Sequence, residues 1–310
     1  MKPSLYPTYP CFTRRAITFT IDDGIIKYDE KFISILCPHG FKGTFNLCSH
    51  FMDREDAFYR NFYSGFGIAN HTHFHPFAMD DDVQYITVDE PLADQHPADD
   101  LIYPVSDRDG FYNKRYPNGW REIADNKTYI NCIITCQERL ERVFGKDVVK
   151  GFVWPYCEQN NSEIKRFLSE FGFTSVRRTG DTLDVTGFAL PADKMSWSYN
   201  CHDVNLLEIM EKYERCEDDG TLKFFAFGVH SVDFERSGKW GDLHTFAEKY
   251  GDRPNDFWYA TVDEIFDYAA ATERLLLTDT TIENPTELTI YVQLNGENLI
   301  LPPKTSLNIK

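Results

Sequence analysis

Between residues 15 and 229, six short apolar runs alternate with stretches whose apolar residues recur at three- and four-residue steps. The runs 15–21, 43–47, 66–69, 148–154, 173–176 and 222–229 have strand length and strand composition. In the first, Ile17, Phe19 and Ile21 fall on one face and Ala16, Thr18 and Thr20 on the other. Helical spacing is clearest over 128–144, where Ile130, Ile133, Ile134, Leu140, Val143 and Phe144 share a face. Further helices are expected over 29–37, 162–171, 206–215, 242–250 and 262–271. A strand that returns parallel to its predecessor needs a long crossover, and a helix is the usual one. The alternation therefore predicts an α/β fold with a largely parallel sheet, with enough units to close a barrel.

Two stretches break the rhythm. Residues 79–124 are acidic, carry four prolines and show little periodicity, so they read as a long insertion above the sheet, near the site or a subunit contact. From Thr278 onward Leu288, Ile290 and Val292 alternate with polar residues, Asn295-Gly296 supplies a tight turn, and Leu299, Ile300 and Leu301 follow. That is a β-hairpin signature. The expected organisation is a barrel over 12–275 and a small β appendage over 278–310.

Composition narrows the function classes. With 32 Lys and Arg against 49 Asp and Glu in 310 residues, the formal charge is −17, which disfavours a nucleic-acid partner. No apolar run reaches the roughly 18 residues of a membrane helix. The start of the chain has no apolar segment like that of a secretory leader, so a cytoplasmic location is expected. The 8 cysteines include no C-x-x-C pair and read as reduced thiols, with Cys132 and Cys136 on one helix face.

Three features fall at the C-terminal ends of expected strands, where parallel α/β sheets place their sites. Thr20-Ile21-Asp22-Asp23-Gly24 closes the first strand. Adjacent buried carboxylates are tolerable when a cation neutralises one and the other carries a proton; a solvated Asp-Gly turn is the plain alternative. Asn70-His71-Thr72-His73-Phe74-His75-Pro76 holds three of the nine histidines within five residues. On a helix, His71 and His75 would share a face and could bind one metal. His230 ends the run Phe224-Phe225-Ala226-Phe227-Gly228-Val229, well placed for proton transfer.

Together these segments resemble the polysaccharide deacetylase (NodB-homology, carbohydrate esterase family 4) family. Thr20 to Gly24 match its first motif, His71 to His75 its second, Val153-Trp154-Pro155-Tyr156 its third and His230 its last; residues 193–197 are the candidate for the fourth. The resemblance implies a distorted (β/α), TIM-like barrel that hydrolyses the N-acetyl group of an amino sugar or oligosaccharide with one divalent metal, zinc first, cobalt or nickel otherwise. Asp23, His71 and His75 would bind the metal, Asp22 would be the general base and His230 the general acid. The Tyr156 backbone N–H would hold the oxyanion. Apart from the resemblance, Trp154, Tyr156, Trp197 and Tyr199 are candidate platforms for sugar rings, with core packing the plainer reading of each.

The chain departs from the family at three positions. Val153 stands where the family has an arginine that pairs with the base, which predicts a raised Asp22 pKa unless Arg177, Arg178 or Lys194 substitutes. Gly228 replaces a leucine, which predicts a wider acyl pocket, and Cys157 replaces a glycine. The retained ligands point to a divergent, active hydrolase of carbohydrate metabolism acting on carbon–nitrogen bonds. The alternatives are a hydrolase of a small amide or cyclic imide on the same fold, or a non-catalytic carbohydrate-binding protein. The expected partner is a small-molecule or oligosaccharide substrate, with no nucleic acid, no membrane, and an oligomer possible.

Overall fold

The computed structural model of the chain describes residues 4–82, 86–87, 110–116, 119–178, 185 and 187–309, with the backbone alone for 86–87, 111–116 and 119–122. Its centre is a seven-stranded sheet. The strands that matter for the site are β1 (Arg15–Asp23), β2 (Thr44–Leu47), β3 (Gly67–Asn70), β4 (Val149–Val153), β5 (Ser175–Arg177) and β6 (Lys223–His230). They lie in the order β5-β4-β3-β2-β1-β6, and all are parallel. Trp258–Tyr259 adds a short parallel pairing along the lower part of β1.

Strands buried on both faces need apolar residues towards the helices and small or satisfied polar ones towards the barrel interior. β1 shows this division. Ile17, Phe19 and Ile21 join the outer core, where Phe19 meets Phe32 at 5.0 Å and Phe45 at 5.6 Å between ring centroids. Thr20 and Asp22 face the other way, towards Asn46 of β2.

Among the described residues the sheet curls but does not close strand to strand. An irregular segment, residues 197–201, runs between its two edges. Trp197 bridges Arg177 on β5, and Cys201 bridges Phe227 on β6. Backbone bonds stitch both sides: Arg178 N–H donates to Trp197 O at 2.8 Å, and Asn200 N–H to Ala226 O at 2.7 Å. The seam carries side chains from 197–201 into the gap between β5 and β6.

The helices form close to where their periodicity places them. Asn126–Phe144 is capped by Asp125, which accepts from Thr128 N–H, and Ser162–Phe171 by Asn161. Val262–Thr272 has a full capping box from Thr261 and Glu264. Between 79 and 124 the described part is not featureless: Phe111–Tyr116 and Gly119–Ala124 pair as a hairpin, in one sheet with Phe77–Ala78 and Ile86–Thr87. Residues 83–85, 88–109, 117 and 118 of that insertion lie outside the described residues.

At the C-terminus, Ile290–Leu294 and Glu297–Leu301 pair antiparallel across Asn295 and Gly296, whose φ angles of 52° and 85° suit this two-residue turn. Leu5–Thr8 adds to the other edge of Ile290–Leu294, so the N-terminal strand shares this sheet. Tyr268, on the helix Val262–Thr272, ties it to the barrel by donating to Thr8 O at 2.7 Å and accepting from Tyr291 N–H at 2.8 Å. Among the described residues no helix is long and apolar enough to cross a membrane, and none of the eight cysteines forms a disulfide.

Candidate metal centre and active site

Parallel register brings the chemistry to one rim. Asp22 of β1 lies opposite Asn46 of β2 and His230 of β6, so three strand ends are level. Asp23 then takes a φ of 77°, which interrupts the strand alternation and aims the two carboxylates differently. Of ten non-glycine residues with positive φ among those described, Asp23, Thr72, His75 and Tyr156 are four. Strained backbone gathered in this way is a mark of a functional site.

The segment that carries His71 and His75 is an irregular loop, not a helix. The two rings converge because Thr72 and His75 adopt φ angles of 66° and 56°, not because of a 3.6-residue period. His71 Nε2 lies 3.5 Å and His75 Nε2 3.6 Å from Asp23 Oδ1. Ligands at roughly 2.1 Å from a tetrahedral cation are about 3.4 Å apart, so each imidazole is spaced from Asp23 as a co-ligand would be. His71 Nδ1 donates to Val153 O at 2.9 Å, which fixes the tautomer and leaves the Nε2 lone pair facing Asp23. That Nε2 is buried and makes no hydrogen bond. Burial lowers the His71 pKa, against the pull of Asp22 and Asp23, so the ring stays neutral as a ligand must. The donor set therefore fits a divalent cation. His73 turns aside and bonds Ser49 Oγ at 2.7 Å. Cys48, buried beside the cluster, lies 3.9 Å from Asp23 Oδ1 and donates to His71 O at 3.1 Å; Asp23, Cys48 and His71 have ligand atoms within 4.8 Å of one another.

Asp22 faces the barrel interior. Its Oδ1 accepts from Asn46 Nδ2 at 2.7 Å and its Oδ2 from Arg177 Nη2 at 2.5 Å. Arg177 is 0% exposed and also donates to Thr20 Oγ1 at 2.8 Å. Burial alone would raise the Asp22 pKa, but the Arg177 guanidinium, with His71 and His230, brings it below the ordinary carboxylate value. The raised pKa expected from Val153 is thus corrected. Arg177 is the register partner of Val153 on the neighbouring strand, so the positive charge sits one strand over at the same level. Neither Arg178 nor Lys194 is the partner; Lys194 bonds Phe266 O.

His230 stands across the rim, its side chain 27% exposed, with Nε2 3.6 Å from Asp23 Oδ2. Its Nδ1 pairs with Asp233 Oδ2 at 2.8 Å, which also accepts from the His230 backbone N–H. The orienting carboxylate is therefore Asp233, three residues on. Asp193, in the segment expected to hold the fourth motif, accepts instead from Met195 N–H and caps a short turn. Burial opposes charge on His230, but Asp23 and Asp233 outweigh it and push the pKa up to about 10. Beneath this rim Asp29 accepts from Ser231 Oγ at 2.6 Å and Tyr63 Oη at 2.7 Å, and burial pushes it up to about 7.

Tyr156 sits on a tight turn with φ 63°, and its ring lies beside that of His75, with centroids 4.6 Å apart. Trp154 and Trp197 do not line the site. They are 1% and 2% exposed; Trp154 stacks on Tyr129 and Trp197 packs on Phe224 and Phe266. Both belong to the core and offer no face to a sugar.

Sequence reading missed Asn46, Asp233 and Cys48. Strand register pointed to Asn46, and a three-residue offset from His230 to Asp233, but neither lies in a motif.

A family model for polysaccharide deacetylase matches residues 10–176. No curated protein matches the chain in sequence. Among solved structures, a Mycobacterium smegmatis protein assigned to the polysaccharide deacetylases aligns at a TM-score of 0.52 and 16% identity, over 90% of this chain and 98% of its own. Polysaccharide deacetylase Bc1974 from Bacillus cereus aligns at 0.45 and 15% over 81% and 94%. A family 4 carbohydrate esterase from Streptomyces lividans aligns at 0.43 and 12% over 76% and 88%. The first of these likenesses shows the barrel fold.

Proposed function

Since the chain belongs to the polysaccharide deacetylase family, a family of hydrolases, we propose that it removes the N-acetyl group of an amino sugar or oligosaccharide with one divalent cation, zinc by preference. What supports this most is the convergence of Asp23, His71 and His75, with the orphaned Nε2 of His71 aimed at Asp23, between the Asp22–Arg177 pair and the His230–Asp233 pair. Asp23, His71 and His75 would hold the cation, which when bound would supply Lewis-acid polarisation of the acyl oxygen and a lowered pKa for water. Asp22, ionised because Arg177 stabilises its charge, accepts the proton of the attacking water. The Tyr156 N–H donates to the oxygen that becomes negative. His230, kept cationic by its carboxylates, gives a proton to the departing amine, which otherwise would leave as a very poor anion.

The test is acetate release from a panel of N-acetylated mono- and oligosaccharides by metal-reconstituted protein. Release from at least one sugar supports the reading. A fully loaded protein that releases acetate from none of them overturns it in favour of a binding module or a small-amide hydrolase.

Two further results are expected. His71→Ala should weaken cation binding by more than the roughly 10- to 100-fold that loss of an outer partner costs. A metal titration checks this, and unchanged affinity would remove His71 from the ligand set. In metal-free protein, the raised His230 pKa makes its contribution to stability complete below about 6.5 and lost as pH rises through about 10. His230→Gln should therefore flatten the fall in Tm across that alkaline window; an identical fall in both proteins would contradict the assignment.

A further inference from the structure

The leucine-to-glycine change at position 228 predicts spare room beside the catalytic rim, and the structure fills that room. A Cβ on Gly228 would lie 2.0 Å from Tyr199 Cδ1 and 2.5 Å from Cε1, so the ring of Tyr199 lies against the glycine backbone. Tyr199 comes from the seam 197–201, which runs between β5 and β6. It is 3% exposed. Its hydroxyl is held by His202 Nε2 at 2.9 Å, and the Arg177 guanidinium lies 5.3 Å from its ring centroid. His202 is itself fixed, because its backbone N–H donates to Asn205 Oδ1 and its carbonyl accepts from Asn205 N–H. The ring is thus locked on three sides: Gly228, Arg177 and His202.

The position of this ring bears on substrate choice. Gly228 pairs in register with Thr20, and His230 with Asp22, so Gly228 lies one layer below the proton-transfer groups on the same face. The reacting acyl carbon has three substituents. On the deacetylase reading its oxygen would face the Tyr156 N–H and the cation ligands. Its amine would carry the bulky sugar towards the solvent side, where His230 is partly exposed. The acyl chain would then point inwards, over Gly228 and against Tyr199.

We propose that Tyr199 is the specificity-determining residue for the acyl group, a rigid wall that admits acetyl and rejects longer chains. This rests on the deacetylase reading of the same site. The wall works by size, because the locked ring cannot swing aside without losing its bond to His202 and its contact with the Arg177 guanidinium. One methylene in such a pocket is worth about 10-fold or more in discrimination.

The test uses cobalt-loaded protein titrated with acetate, propionate and butyrate, whose carboxylates report on the acyl side of the cation, read by the visible spectrum of the bound cobalt. Wild-type protein should bind acetate at least about tenfold tighter than butyrate. Tyr199→Ala should remove that preference, and Tyr199→Ala with Gly228→Leu should restore it by refilling the volume. If Tyr199→Ala does not fold, Tyr199→Leu carries the same comparison, with butyrate gaining relative to acetate. Equal affinities in the wild type, or an unchanged ratio in a folded, cobalt-loaded Tyr199 variant, overturn the proposal. A wild-type protein that takes up no cobalt overturns the metal reading itself, and the loading titration tells the two failures apart.

Discussion

Asp22→Asn is expected to lower turnover by roughly 10²- to 10⁴-fold, the usual contribution of a positioned general base, while cation content stays near one per chain. The two effects separate because Asp22 and Asp23, though adjacent, serve different partners. Asp22 is bound by Asn46 and Arg177 in the barrel interior, and Asp23 faces the imidazoles of His71 and His75. Asparagine keeps an oxygen for Arg177 but cannot accept the proton of water. Asp23→Ala, in contrast, should lose turnover and cation together. Acetate release and metal analysis on the same preparations check both. An Asp22→Asn protein that retains most of its activity would remove Asp22 from the base role.

Arg177→Met should be the most destabilising single change at the site, by about 3–5 kcal/mol, because it leaves the Asp22 charge buried without its partner. The pH dependence has a definite sign. Arg177 helps hold the folded-state pKa of Asp22 below its ordinary value. The stability from that pair is therefore present above the unfolded carboxylate pKa of about 3.9 and is lost as pH falls through the lower, folded value. Denaturant melts of wild type and Arg177→Met should differ most at neutral pH and converge in acid. Turnover should fall too, since an unpaired buried Asp22 holds its proton. Val153→Arg in the Arg177→Val background returns a guanidinium to the neighbouring strand at the same level, and should recover part of both losses. A gap that does not narrow in acid would show that Arg177 stabilises by packing and not through Asp22.

Much of this protein is legible in the chain. Apolar runs and amphipathic stretches report on local backbone preference and on which face must be buried, and those are local properties. Six strands and six helices accordingly form within a few residues of where periodicity puts them. The Asn295-Gly296 turn is equally local, because few residue pairs accept two positive φ angles. Motif residues are legible for a related reason: Asp22, Asp23, His71 and His75 are close in sequence to strand ends, and strand ends in a parallel sheet share one rim.

What the tertiary structure decided is whatever depends on neighbours distant in sequence. The spacing of His71 and His75 suggests a helix, yet backbone at positive φ brings them together in a loop held between Val153 and Ser49. Val153 reads as a missing charge, yet parallel register sets Arg177 beside it, and the curl of the sheet carries that guanidinium across to Asp22. Gly228 reads as a hole, yet the seam that bridges the two sheet edges lays Tyr199 over it. Trp154 and Trp197 read as sugar platforms or, more plainly, as core, and their burial decides for the core. Periodicity records which side of a strand is apolar. Which distant side chain fills the space beside it is set by how the sheet curls and where it is closed, and no local pattern encodes that.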